Sequence, residues 1–142
     1  MKCSFKIVGV LIIAIVFAVA CSVAFAEEIY VPQIKEKAYE GIPYISGGVG
    51  QEERDALAVK SKDYNLKILF AAKSGEYRAD IKVEIADSRG KKVLVAAADG
   101  PWFFTNLPAG KYTVTATMKD SAKSSKVNIV KGKKQITAGF YW

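Results

Sequence analysis

Across its 142 residues the chain contains no histidine, and its two cysteines, Cys3 and Cys21, both lie close to the first residue. Those two facts restrict the chemistry at once. Histidine is the usual general base near neutral pH, and zinc sites draw mostly on histidine and cysteine. A serine nucleophile needs a base to take its proton, and Ser46, Ser61 and Ser74 have no histidine to serve them. Carboxylates remain, and Glu52, Glu53 and Asp55 open a stretch of good helix formers. Acids in a first helical turn complement the helix dipole, which explains them without catalysis. The composition therefore predicts a protein that is not an enzyme and uses neither cofactor nor metal.

Other groups are suited to binding. Gly47-Gly48-Val49-Gly50 precedes the helix and could offer backbone N–H groups to an anion. It lacks the Lys-Ser/Thr ending of a phosphate loop, and the acids that follow would repel phosphate, so close packing against a sheet is the preferred reading. Residues 111–134 carry Lys111, Lys119, Lys123, Lys126, Lys131, Lys133 and Lys134 against Asp120 alone, within a chain of net charge +7. Such a cluster either meets an anionic partner or forms a solvated face that keeps sheet edges apart. No aromatic platform is interleaved with it, which argues against nucleic acid. Trp102, Phe103 and Phe104 are consecutive, so they place aromatics on both faces of one strand. Trp102, Phe103, Lys123, Lys126 and Lys133 are the candidate binding surface, with an envelope protein or polysaccharide as the expected partner. For the aromatics, cover by the helix or the preceding segment is the preferred reading, as close packing is for the glycine loop.

The elements that must position these residues are legible in order. Lys2 and Lys6 precede an apolar run, and Ala24-Phe25-Ala26 supplies small residues for cleavage. Residues 1–26 thus read as a signal peptide cut after Ala26, and the expected location is periplasmic or secreted. Two alternatives are a lipid-anchored Cys21 after Ala18-Val19-Ala20 and an uncleaved anchor; only these would bring membrane contact. Residues 27–64 are expected to form an extended, partly packed lead-in, interrupted by Pro32 and Pro43, and then a short surface helix over 51–63. From Asn65 the apolar period becomes two. Leu66, Ile68 and Phe70 begin it; Ile81, Val83 and Ile85 follow, then Val93 and Val95 after the turn at Asp87-Ser88-Arg89-Gly90. The aromatic strand, Tyr112 to Met118, a short strand at Val127 and Ile129, and Ile136 to Trp142 complete the set. Seven short strands over residues 65–142 predict a mainly β, antiparallel Greek-key sandwich.

Its organising stretch is DGPWFFTNLPAGKYTV, residues 99–114. Asp99-Gly100 is a turn dipeptide, for which a positive φ at glycine is expected, and Leu107-Pro108-x-Gly110-x-Tyr112 fits a tyrosine corner, a phenol bonded back to upstream backbone. Together these motifs resemble the carboxypeptidase regulatory-like domain, a transthyretin-type β-sandwich of bacterial envelope proteins. The resemblance implies a fold and a structural or binding role, with no chemistry of its own. Transthyretin-like hydrolases of purine catabolism are similar in architecture, but their histidines and Tyr-Arg-Gly-Ser tail are missing here. A competing likeness joins Ile136, Ala138, Phe140 and Trp142 to the closing strand of outer-membrane barrels. Short strands and outward residues such as Lys82 and Glu84 do not build the lipid-facing band that a barrel needs.

Overall fold

The alternation of apolar and polar residues from Asn65 onward becomes strand after strand in the computed structural model, which describes Tyr30, residues 32–76, Arg78 and residues 80–142. The expected signal segment and both cysteines lie outside the described residues. Nine strands and one α-helix occur among the described residues: β1 (Lys37–Tyr39), β2 (Ile42–Gly47), α1 (Gln51–Lys60), β3 (Leu66–Ala71), β4 (Ile81–Asp87), β5 (Lys92–Ala98), β6 (Trp102–Thr105), β7 (Gly110–Met118), β8 (Ser121–Ile129) and β9 (Ile136–Tyr141). A single 3-10 turn, Ser61–Asp63, follows the helix. The first sheet has the order β1-β2-β6-β3-β9 and the second β5-β4-β7-β8. No helix among the described residues is long and apolar enough to cross a membrane.

Three expectations need correction. The lead-in is a hairpin, so there are nine strands where seven were expected: Glu40 and Gly41 both take positive φ, 46° and 83°, and close a two-residue turn that sets Tyr39 opposite Ile42. Such turns favour Asn-Gly or Asp-Gly, so Glu-Gly gave a weak signal. The sheets are also not wholly antiparallel, because β9 runs parallel to β3. The 130–135 connection returns to the first sheet beside the start of β3, where Ile136 N–H donates to Asn65 O at 2.9 Å and Gln135 Nε2 donates to Ser61 O and Tyr64 O. Finally, the strand expected at Val127 and Ile129 reaches back to Ser121.

The two inner faces share one core. Leu66, Ile68, Phe70, Phe103 and Phe140 from the first sheet meet Ile81, Val83, Ile85, Leu94 and Val114 from the second. Full burial of one such side chain contributes about 1.5–3 kcal/mol, so this layer dominates stability. A smaller cluster of Ile34, Ile45, Leu57, Tyr64 and Phe104 lies on the other face of the first sheet, under α1. Only Leu57 of α1 is buried, as its sparse apolar positions require.

Between β6 and β7 the chain crosses from one sheet to the other. Tyr112 Oη donates to Pro108 O at 2.8 Å, closing the expected tyrosine corner. Asn65 grips the same arch from β3's side, donating from Nδ2 to Leu107 O at 2.7 Å and accepting from Leu107 N–H at 3.0 Å. At the other end of β6, Gly100 does not have the positive φ expected of it. Its constraint is contact: a Cβ there would stand 2.4 Å from Gly47 O.

Replacing Tyr112 by Phe removes the corner's hydrogen bond and should lower the unfolding free energy by about 1 kcal/mol. Gly100→Ala forces two backbone segments apart and should cost about 1–3 kcal/mol. Denaturant titration of both variants reads these differences, and an unchanged midpoint for Tyr112→Phe would remove the corner from the list of stabilising contacts.

Candidate binding surface

The aromatic strand divides its side chains as the alternation demands. Phe103 points into the core, is fully buried, and stacks on Tyr44 with centroids 5.2 Å apart. That placement takes Phe103 out of the candidate surface. Trp102 and Phe104 face the opposite side beneath α1, edge to face at 6.2 Å, with Phe104 buried and Trp102 half-buried. Phe104 shares a buried cluster with Leu57 of α1 and with Ile34, Ile45 and Tyr64, and Trp102 packs against it, so helix and lead-in both cover this face.

Lys67 occupies the neighbouring position on β3, opposite Phe104. Its amine lies 4.0 Å from the centroid of the Trp102 ring and 5.6 Å from that of Phe104. Such contacts suit a cation, because the ring face carries negative potential. No carboxylate pairs with Lys67 among the described residues, and burial holds its pKa below the usual lysine value. Trp102 Nε1 is buried with no hydrogen-bond partner among the described residues.

The glycine loop packs against this group. Gly47 and Gly48 are buried, Gly48 takes φ +95°, and a Cβ on it would touch both Trp102 and Arg54 at 3.4 Å. Glu53 Oε2 accepts from Val49 N–H at 3.0 Å, and Arg54 Nη1 donates to Gly48 O at 3.0 Å. One exposed N–H of the loop, that of Val49, is therefore met by a carboxylate of the chain itself.

The candidate lysines are dispersed. Lys123 Nζ donates to Tyr141 O at 2.6 Å, linking β8 to β9. Lys126 lies on the outer face of the second sheet, in an open groove of about 590 Å³ that it shares with Lys111, Thr113, Asn128, Ala86 and Asp87. Lys133 stands at one end of the sandwich with Lys134, Lys62 and Asp63, around a depression of about 430 Å³. Elsewhere four cations have acidic partners among the described residues. Lys37 meets Asp99 at 2.6 Å, Arg78 meets Glu76 at 3.7 Å, and Lys92 and Lys82 meet Glu84 at 2.6 and 3.1 Å. Hydrogen bonds from Lys92 and Lys82 hold the Glu84 carboxyl below its usual range. None of the seven lysines in residues 111–134 joins an ion pair among the described residues.

Sequence reasoning placed Lys126 but not its companion Lys111 in the candidate surface, and it did not single out Lys67. For Lys111 the signal was present: it shares an outward face with Thr113 on β7, opposite Asn128 and Lys126. For Lys67 there was none, because its setting depends on the pairing of β3 with β6, which lies more than thirty residues later in the chain. Among the described residues no group of three or more acidic, histidine or cysteine side chains is placed to hold a metal ion. Compared with known proteins, the chain matches no family model and no curated protein. The carboxypeptidase regulatory-like resemblance thus rests on its residues.

Lys67 gives a pH test. Its folded pKa lies below the unfolded value of 10.5, so the unfolded chain binds this proton more tightly and the group's contribution to stability rises as pH climbs between the two values. Lys67→Met keeps the stem packed on Trp102 and should abolish that rise. Unfolding titrations from neutral pH to about 10 compare the slopes, and equal slopes would contradict the assignment.

Proposed function

We propose that this chain is a non-catalytic envelope module, secreted or periplasmic, whose Greek-key sandwich is of the carboxypeptidase regulatory-like, transthyretin-related type, and that it holds an anionic polymer or protein on its lysine-rich side. The fold reading is supported by the tyrosine corner and by crossings from β5 to β6 and from β6 to β7 that exchange sheets. One observation carries the binding reading: Lys111 and Lys126 share a groove, and neither joins an ion pair among the described residues. Asp87 lines the same groove without pairing with either lysine, so two ammonium groups face one carboxylate; such an excess of like charge is unfavourable in the free protein and becomes favourable when a polyanion arrives. Thr113 and Asn128 add neutral hydrogen-bonding groups between the two ammonium ions, a mixture suited to an acidic glycan with its hydroxyls and carboxylates.

The reading predicts that the protein binds a soluble polyuronate, that Lys111→Glu with Lys126→Glu weakens binding by about tenfold or more, and that raising the salt weakens the parent alone. Trp102→Ala serves as the control and should leave affinity unchanged. Titration calorimetry decides the matter; binding indifferent to both charge reversals would overturn the groove assignment.

A further inference from the structure

We infer that the free edge of β9 accepts an extended acidic segment of another protein as an additional strand of the first sheet. This surface is separate from the Lys111–Lys126 groove and does not depend on what the groove binds.

The argument starts from the parallel pairing. β9 is hydrogen-bonded to β3 in continuous register, from Leu66 opposite Ile136 to Ala71 opposite Tyr141. Ile136 N–H donates to Asn65 O, Trp142 N–H donates to Ala71 O at 3.1 Å, and Trp142 O accepts from Lys73 N–H at 2.6 Å. In a parallel ladder one residue sends both backbone groups to the same neighbour, and the next sends both the opposite way. Ile136, Ala138, Phe140 and Trp142 therefore address β3, while Thr137, Gly139 and Tyr141 address the open side. Lys123 takes the Tyr141 carbonyl. The remaining outward groups have no hydrogen-bond partner among the described residues. Gly139 is exposed, and exposure of a glycine is exposure of backbone.

Edge strands are ordinarily protected by charge, proline, a bulge or brevity. β1 is three residues long, and its Lys37 is pinned to Asp99. β5 begins at Lys92, and β8 carries Lys123 and Lys126. The sequence of β9, ITAGFY, has no charge and no proline, and its register has no interruption.

The strand facing this edge specifies the occupant. On β8 the residues paired with inward-facing Tyr112 and Gly110 are Val127 and Ile129, both buried and apolar. Further along the same face come Ser125, Lys123 and Ser121, paired with Val114, Ala116 and Met118. This half of β8's inner face is polar, and its one charge, Lys123, has no acidic partner among the described residues. A strand added beside β9 would turn its inner side chains toward these serines and this lysine. Lys133 and Lys134, both exposed, lie just before β9 and extend the positive charge to the other end of the edge. An acidic, extended segment satisfies the backbone groups and the charges together, which is strand addition with side-chain selectivity.

The test uses the full chain and synthetic peptides of about ten residues, the reach of such an edge, with alternating valine and threonine flanked by glutamate. Controls carry lysine in place of glutamate, or N-methyl groups on alternate amides. Thr137→Pro blocks the edge without removing an internal hydrogen bond, since that N–H points outward, where proline is tolerated. The acidic peptide should bind the parent, and the lysine peptide, the N-methylated peptide and the Thr137→Pro variant should each weaken binding by about tenfold or more. Lys123→Glu should reverse the preference between acidic and basic peptides. No binding to the parent, or binding untouched by N-methylation, overturns the proposal. So does a dimer in sedimentation that Thr137→Pro dissolves, which would give the edge to a second copy.

Discussion

The sheet-to-sheet arch at Leu107-Pro108 is the constraint on which the rest of the structure depends. A sandwich needs its chain to leave one sheet and enter the other at a fixed height, or the inner faces pack out of register. Here the arch is held from both sides: Tyr112 reaches back from β7 to Pro108 O, and Asn65 at the start of β3 supplies a donor and an acceptor to Leu107. An amide side chain presents the same pair of groups as a peptide bond, so Asn65 extends the β3 ladder into the arch. The placement of Phe103 against the second sheet, and with it the outward placement of Trp102 and Phe104, follows from that height. The helix then has an apolar face to cover.

Charge is distributed by the same division. On one side of the sandwich the sheets are stitched by Lys37, Asp99 and Ser46: Lys37 pairs with Asp99, and Asp99 N–H donates to Ser46 Oγ at 2.9 Å. On the side formed by β7, β8 and β9 the lysines of residues 111–134 join no ion pair among the described residues, Lys123 meeting a backbone carbonyl and Lys111 and Lys126 lining the groove, so positive charge is in excess there. Exposed ion pairs contribute little to stability, so the imbalance has a modest energetic effect on folding. Its larger effect is on the field around the molecule, which attracts anions and repels other copies approaching through β8.

How much of this was legible depends on whether a feature is local. Period-two alternation located the strands from β3 to β9 other than β6, because the pattern is written within six to nine residues of each, whereas β6, buried on both faces, was marked by its aromatics and flanking turns. Leu107, Pro108, Gly110 and Tyr112 announced the corner for the same reason. Features set by distant contacts did not show. Gly100 looked like a turn glycine, yet what it avoids is the backbone of Gly47, over fifty residues earlier. The β1–β2 hairpin was hidden by Pro32, Pro43 and an uncommon Glu-Gly turn. Phe103 was read as surface because alternation states that neighbours face opposite ways without stating which way is in. For the candidate site, the lysine cluster was visible as composition, but its division among a groove, a sheet edge and one end of the sandwich belongs to the pairing of β7, β8 and β9.

The misjudged length of β8 is the most informative of these differences. A strand is recognised by its apolar face, and residues 121–126 have none, so only Val127 and Ile129 gave a signal. Their pairing with β7 is nonetheless complete through Ser121, opposite Met118. A strand with full backbone pairing and a polar inner face is one that a neighbouring sheet leaves partly uncovered, since polar groups facing an apolar layer would lose hydration without compensation. Among the described residues the first sheet ends at β9 with outward backbone groups still open, and on the facing strand β8 the inner side chains are serine and lysine. The features that made β8 hard to read and those that leave β9 open therefore meet at one place, the β8–β9 side, where the inner face of β8 turns polar and Lys123 donates to Tyr141 O.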